Sequence, residues 1–407
     1  MATKSEAGFH RWGLIIVLGA ITAIGPLSID TYLPAMPALS QDFGVAASSV
    51  QYTLSVFFIG LAIGQLTYGP LSDRYGRMPI LYFGLVLYLA SSMACALAQS
   101  VDLLTVARFF QGFGAASAPV MTRAIVRDRF AGNEAASVMS FVVMVMASAP
   151  LVAPLLGSLL LAIASWRGIF VFISVYALIG LGILWFFLSE SHPIEVRVRD
   201  RSLAAQYWGY LALLGRLRIA LFLVCGSLMF GALFSYVAAS SFVYITEFGV
   251  DRQVFGLYFA ANVSAMLCGT WANGHLVRRY GYRPLLGVAV ANTQACGLVL
   301  LVTTLTGWGG FWGVAVPLFF LLSTVGMAGA NTVAGLLDLA PDAAGAASAL
   351  FGVCQFTASS VASWFVGLLG GDAVAMAIVM ASYAAGAVGA YLVMLWIGVG
   401  RREAVRC

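Results

Sequence analysis

Asp30 is the only acidic residue well inside a long apolar run of this chain, in the segment PLSIDTYLPAMP. A carboxyl group there can bind and release a proton, pair with a cation or hold a polar ligand. An aspartate at the centre of a bilayer costs about 2.5–3.5 kcal/mol on insertion scales, so it must face a cavity or a partner rather than lipid. Arg108 is the expected partner. Counted at 1.5 Å per residue, Asp30 lies roughly 10 Å inward from Pro37 and Arg108 about 9 Å inward from Asp102. Removing a carboxyl group from water favours its protonated form and a nearby guanidinium favours the ionised one, so a movement that changes either balance loads or releases a proton. Asp30 and Arg108 are therefore expected to form a proton-coupling device, with a static ion pair between two helices as the alternative.

A second group of residues is marked by repetition. Gly69 to Pro79 is GPLSDRYGRMP and Gly274 to Pro284 is GHLVRRYGYRP, identical at six of eleven positions. Each copy joins two apolar runs, as in transporters built from parallel repeats. The first copy is expected to be a gating loop. Gly69 and Gly76 permit unusual backbone angles and close approach, and Asp73 sits beside Arg74 and Arg77. An aspartate there could accept hydrogen bonds from a neighbouring helix start, such as Pro341-Asp342. In the second copy Arg278 replaces Asp73, so the two copies differ electrically.

Pro150, Pro154 and Gly157 recur three to four residues apart in SAPLVAPLLGS and so share one helix face. Prolines distort the helical ladder, and a small-residue face allows close packing. Tyr32, Gln51, Tyr52, Gln111, Phe234, Tyr236, Asn262, Asn331 and Gln355 could line a mainly apolar substrate cavity suited to uncharged or amphipathic molecules. Each polar one could equally join helices by hydrogen bonds.

Other chemistries find no residues. The chain has no phosphate loop of the G-x-x-x-x-G-K-[ST] kind and no H-E-x-x-H pair. His10, His192 and His275 fall in separate polar edges, so no metal or cofactor is expected. Five of six cysteines lie in apolar runs without disulfide or metal spacing.

These residues must be held by membrane-spanning helices. Hydrophobic residues make up 61% of the 407 and charged residues 9%, against about 45–50% and about 25% in soluble domains. A span needs about 20 apolar residues. Twelve such runs occur, near 12–37, 47–70, 78–98, 102–124, 135–160 and 167–188, then 217–243, 253–276, 284–305, 310–336, 343–369 and 373–398. The first has no A-x-A-like site, so it is expected to be retained rather than cleaved. With twelve spans, eighteen of twenty-one Lys and Arg residues fall on one face, which the positive-inside rule makes cytoplasmic, with both termini. The net charge of +5 thus reflects topology rather than a nucleic-acid partner. The expected architecture is an all-α membrane protein of twelve transmembrane helices in two pseudo-symmetric six-helix halves, 1–190 and 217–407. The mixed-charge stretch 191–216 is expected to be a solvated cytoplasmic linker.

With these residues in place, the chain resembles the major facilitator superfamily, specifically drug/proton antiporters of the bicyclomycin and chloramphenicol resistance type. Gly69, Leu71, Asp73, Arg74, Gly76 and Arg77 match the family's G-x-L-x-D-R-x-G-R pattern after span 2. Arg108, Gln111, Gly112 and Gly114 are similar to its span-4 signature. Ala149, Pro150, Ala153, Pro154, Gly157 and Ser158 stand at its span-5 antiporter signature, with Ala149 and Ser158 in place of glycines. The segment around Asp30 is similar to the embedded acidic motif of these exporters. The resemblance implies a monomeric carrier rather than an enzyme, in a bacterial inner membrane, with lipid, protons and a small-molecule substrate as its partners. It implies polyspecific drug efflux coupled to protons, with Asp30 at the proton and substrate site and Arg108 in proton transfer. A proton-coupled metabolite exporter or importer of the same fold is the alternative.

Overall fold

A computed structural model of the chain describes residues 4–193, 195 and 203–398. Arg197, Arg199, Arg201, Arg401, Arg402 and Arg406, counted above on the cytoplasmic face, lie outside the described residues, as do Cys407 and part of the expected linker. Among the described residues every regular element is helical. Eleven segments are long and apolar enough to cross a bilayer. The twelfth expected crossing falls on α6 (Val101–Ala115) and α7 (Ser117–Arg129). It is interrupted at Ala116 and carries Asp102, Arg108, Arg123, Arg127, Asp128 and Arg129, so it is more polar than the other eleven.

The chain separates into two compact units, residues 1–203 with 244–260, and residues 204–243 with 261–407. In the first unit, span 1 is not one rod. It is α1 (Lys4–Thr22), α2 (Ile24–Asp30), a 3-10 turn at Leu33–Ala35 and α3 (Met36–Phe43). Pro26, Pro34 and Pro37 each lack an N–H, and Thr22, Ser28 and Thr31 hydroxyls bond back to the carbonyls of Leu18, Ile24 and Leu27. The segment Trp12–Phe43 runs 32 residues, so Asp30 lies near its middle, deeper than the run ending at Pro37 implied. The remaining first-unit helices are α4 (Ala47–Tyr75), α5 (Arg77–Ala96), α8 (Gly132–Ile163) and α9 (Trp166–Phe187).

Close approach of α4 to α6 organises this unit. A Cβ on Gly112 would overlap the backbone of Phe57, and one on Gly60 would overlap that of Phe109. The small-residue contact therefore brings the two helices together at backbone distance, which lipid-solvated helices need because no hydrophobic force drives them together. A comparable contact lies beside Asp30, where a Cβ on Gly157 of α8 would overlap the Thr31 carbonyl and crowd Pro34. Ala149 and Ala153 on the same α8 face pack on Ala23 and Leu27.

The second unit begins with α10 (Leu203–Leu214), so the expected plain linker contains a helix. There follow α11 (Leu217–Ser241), extended by a π-helical turn at Phe242–Glu247, α12 (Arg252–Tyr280), α13 (Tyr282–Thr306), α14 (Gly310–Ser323), α15 (Val325–Leu339), α16 (Ala344–Leu368) and α17 (Ala373–Trp396). The opening of α12 belongs to the first unit, where Ser158 Oγ donates to the Arg252 carbonyl at 2.8 Å. Span 10, like span 4, is broken, here at Thr324. Asn292 Nδ2 donates to the Phe320 carbonyl at 2.8 Å and to Thr324 Oγ1 at 3.0 Å, supplying polar partners at the interruption. Phe222, Leu223, Met229, Leu286 and Leu336 form the apolar core of this unit.

Gly112→Val tests the α4–α6 approach. It is expected to lower the thermal stability of the purified protein by about 1–3 kcal/mol through overpacking. Gly182→Val, where nothing lies within 4 Å, is expected to melt like the parent. Equal melting of both variants would show that the approach does not limit stability.

Candidate functional site: a buried cation, a lone carboxylate and the repeat junctions

Arg108 projects from α6 and is 0% exposed. Its Nη1 donates to the Ser28 carbonyl at 3.2 Å and to Gln111 Oε1 at 2.6 Å. Gln111 Nε2 in turn donates to Ser92 Oγ at 2.8 Å. The guanidinium carbon lies 4.3 Å from the ring centroid of Phe57, 4.6 Å from Tyr32 and 5.9 Å from Phe170. Nε and Nη2 have no hydrogen-bond partner. A buried charge without a carboxylate is costly, and here the negative faces of three rings supply the compensation. Gly112 makes this possible, since it seats the Phe57 turn of α4 against α6, one turn beyond Arg108.

The expected Asp30–Arg108 pair is not formed. Asp30 has no ion pair and no side-chain hydrogen bond among the described residues. Helix geometry explains it: Ser28 and Tyr32 are four residues apart on one face, and Asp30, midway between, is turned about 200° from Ser28. Ser28 and Tyr32 face Arg108, with the Ser28 and Tyr88 hydroxyls sharing a hydrogen bond at 2.5 Å and Tyr32 Oη and Thr53 Oγ1 one at 2.8 Å. Asp30 thus points away from that cluster. It is buried, 5% exposed, without a described side-chain partner.

The expected cavity residues separate. Tyr32 and Gln111 are fully buried around Arg108, where they position a charge rather than present themselves to a ligand. Gln51 is buried at the start of α4, whereas its neighbour Tyr52 is 46% exposed on another side of that helix. In the second unit, Asn262 Nδ2 donates to Tyr236 Oη at 2.9 Å, and Asn331 Nδ2 donates to Asn273 Oδ1 at 2.8 Å. These bonds join α12 to α11 and to α15. Phe234 packs on Phe356 at 6.4 Å, and Gln355 is half-buried on α16. Sequence reasoning missed Phe57, Ser92, Thr53, Phe170 and Asn273, although the glycine facing Phe57 was visible in the span-4 signature.

The expected gating loop is not a loop. Helix α4 continues through Gly69, Asp73 and Arg74 to Tyr75, and α5 starts at Arg77, leaving Gly76 alone between them with φ 103°. The second copy repeats this with Gly281 at φ 79° between α12 and α13. Such angles favour glycine. Asp73, expected to cap another helix, binds Arg77 Nη1 at 2.5 Å. Arg77 is buried, and its Nε donates to Asp128 Oδ2 on α7 at 2.9 Å. Gly76 offers no side-chain cap, and Glu190 takes that role, accepting from the N–H groups of Arg77 at 3.0 Å and Met78 at 3.2 Å. Arg74 is exposed beside Tyr75. In the second copy Tyr282 stands where Arg77 does, and its hydroxyl donates to Asp338 Oδ2 on α15 at 2.8 Å. The fold solution is shared, but the first junction is ionic and the second is a neutral donor on one carboxylate.

Pro150, Pro154 and Gly157 lie within the continuous helix α8.

Twelve crossings in two helical units, a carboxyl group at mid-span and duplicated junctions define a membrane transporter. The chain belongs to the Major Facilitator Superfamily, whose profile matches residues 18–363. It is 32% identical over 348 residues to the bicyclomycin resistance protein homolog of Haemophilus influenzae, covering 85% of this chain and 87% of that protein. It is 30% identical over 322 residues to the chloramphenicol resistance protein of Pseudomonas aeruginosa, covering 79% and 75%. Its fold matches a crystal structure of the D-xylose-proton symporter with a TM-score of 0.74 at 18% identity, over 95% of this chain and 97% of that one.

Two predictions follow from the geometry. Phe57→Leu, which removes the nearest ring face from Arg108, is expected to destabilise the protein by about 2 kcal/mol, and Phe58→Leu by less; equal shifts in denaturation midpoint would remove the ring faces from the account. Arg77→Gln, which strands Asp73 and Asp128, is expected to cost about 3 kcal/mol, against about 1 kcal/mol for Tyr282→Phe. The same melts decide it, and similar costs would show that the junctions are energetically alike.

Proposed function

We propose that this chain exports small, uncharged or weakly charged drug-like molecules in exchange for protons by alternating access. Asp30 carries the reading: it is a carboxyl group buried near the middle of a broken span and free of any described side-chain partner. A carboxyl group so placed can take up a proton or a polar group of a substrate, but not both, which couples the two fluxes. Arg108 contributes a fixed positive potential from the neighbouring cluster rather than a direct contact. The broken backbone around Asp30, seated on the small-residue face of α8, is the element whose rearrangement would change access. The ionic junction of Asp73, Arg77 and Asp128 stabilises one of the two states.

The names of the relatives favour antibiotics or similar compounds as cargo, exported across a bacterial inner membrane. The excess of arginines at alternate polar edges supports a cytoplasmic position for both termini. The moving bodies are residues 1–190 and 217–407, joined by 191–216, and a single copy suffices for the cycle.

Everted vesicles loaded by a pH gradient provide the test. A panel of labelled antibiotics is expected to include compounds that accumulate only when the vesicle interior is acidic. Asp30→Asn is expected to insert normally and to abolish that gradient-driven uptake. Binding of a transported compound to the parent is expected to weaken as pH falls through the titration of Asp30, because the proton occupies the carboxyl group that the compound needs. Uphill transport by Asp30→Asn, or pH-independent binding, would refute the competition.

A further inference from the structure

At the polar end of the second unit, α11 begins, α15 ends and α17 ends around one cavity of about 520 Å³, lined by Arg216, Leu217, Arg218, Ile219, Leu339 and Ile397. Four of the six lining side chains are aliphatic, and the other two are exposed arginines. No described hydrogen bond, ion pair or ring contact engages either guanidinium. Among the described residues no carboxylate lines the cavity, so two positive charges without a described partner stand over an apolar floor.

The helix that leads into this cavity has the composition of a membrane–water boundary. In α10, Trp208 is 69% exposed and Leu211 54% exposed, with Tyr207 and Leu214 also exposed, and Gly215 then ends the helix just before Arg216. Tryptophan and tyrosine concentrate at the headgroup level of bilayers, which sets the exposed rings of α10 at that level. The cavity is thus at the depth of phosphate groups. In sequence, Arg197, Arg199 and Arg201 precede α10, with Glu195 and Asp200 among them, so the stretch before the helix carries a small positive excess.

From this arrangement we propose that the cavity binds the phosphodiester headgroup of an anionic phospholipid, with Arg216 and Arg218 on the phosphate and Leu217, Ile219, Leu339 and Ile397 against the first carbons of the acyl chains. A zwitterionic headgroup brings its own cation to two guanidiniums and is disfavoured. A free anion such as inorganic phosphate gains nothing from the aliphatic wall. Since α10 connects the two sets of six spans, a lipid held there ties that connection to the composition of the leaflet. The site is independent of which compound is transported.

Native mass spectrometry of the full-length protein, released from detergent with phosphatidylglycerol or phosphatidylcholine added, tests this. Phosphatidylglycerol is expected to bind saturably and phosphatidylcholine weakly. The double variant Arg216→Gln/Arg218→Gln is expected to lose about 30-fold in phosphatidylglycerol affinity, which is about 2 kcal/mol, or about 1 kcal/mol for each basic residue. Ile397→Trp, which fills the cavity and keeps both charges, is expected to weaken binding as well and decides the question should the double variant fail to fold. Three results would each overturn the proposal: unchanged phosphatidylglycerol binding by a folded variant, equal binding of phosphatidylcholine, or displacement of phosphatidylglycerol by inorganic phosphate.

Discussion

A guanidinium with no carboxylate, sealed inside a helical bundle, constrains everything packed around it. Arg108 keeps its charge because arginine does not give up its proton in proteins, so the surroundings must stabilise a cation where water is absent. Two carbonyl-type oxygens and three aromatic faces do this. Each demand propagates outward. The Ser28 carbonyl must be presented by span 1, the Phe57 ring by α4 and the Phe170 ring by α9. Because Phe57 comes close only if α4 and α6 touch at the backbone, the glycine at 112 is tied to the charge four residues earlier. The cost is visible in span 4 itself, which is more polar than the other eleven crossings.

The arrangement also separates the two charged groups that a shorter chain of inference joins. Had Asp30 paired with Arg108, the carboxylate would be held ionised by its partner and unavailable to a proton. With the arginine's charge stabilised by rings and oxygens instead, the carboxyl group on the far side of α2 has no competitor among the described side chains. A charge that is felt through the protein without contact biases a titration without ending it. The break in span 1, with its three prolines and back-bonded hydroxyls, leaves the backbone next to that carboxyl group less constrained than a continuous helix.

The number of spans was legible because a bilayer imposes a length of apolar sequence that few other constraints imitate, and the repeat marked both junctions, though as loops rather than as single glycines between continuous helices. Asp30 stood out for the same reason, as an expense in a membrane. What escaped was what leaves no charge signal. Ring faces and a backbone carbonyl do not look like partners of an arginine in a sequence. The faces of α2 were in principle readable from the positions of Ser28, Asp30 and Tyr32, and identical depth proved a weaker guide than angular position. Glu190 meets the start of α5 across 113 residues, a distance over which local pattern is silent. The helix α10 was hidden by the charged residues beside it.

The junctions show how a duplicated unit diverges. Gly76 and Gly281 both adopt positive φ, and in both copies the residue after the glycine reaches an aspartate at the end of the fourth span of its half. Backbone angle is a steric requirement that only a few residues satisfy, so it persists. The donor is a chemical choice, and a phenol reaches a carboxylate as well as a guanidinium does. The choice has consequences, because an arginine between two carboxylates is costly to separate when it is buried, whereas a half-buried neutral phenol gives up a single hydrogen bond at smaller cost. The first junction therefore holds its helices far more firmly than the second, and a common backbone geometry carries two different barriers to opening.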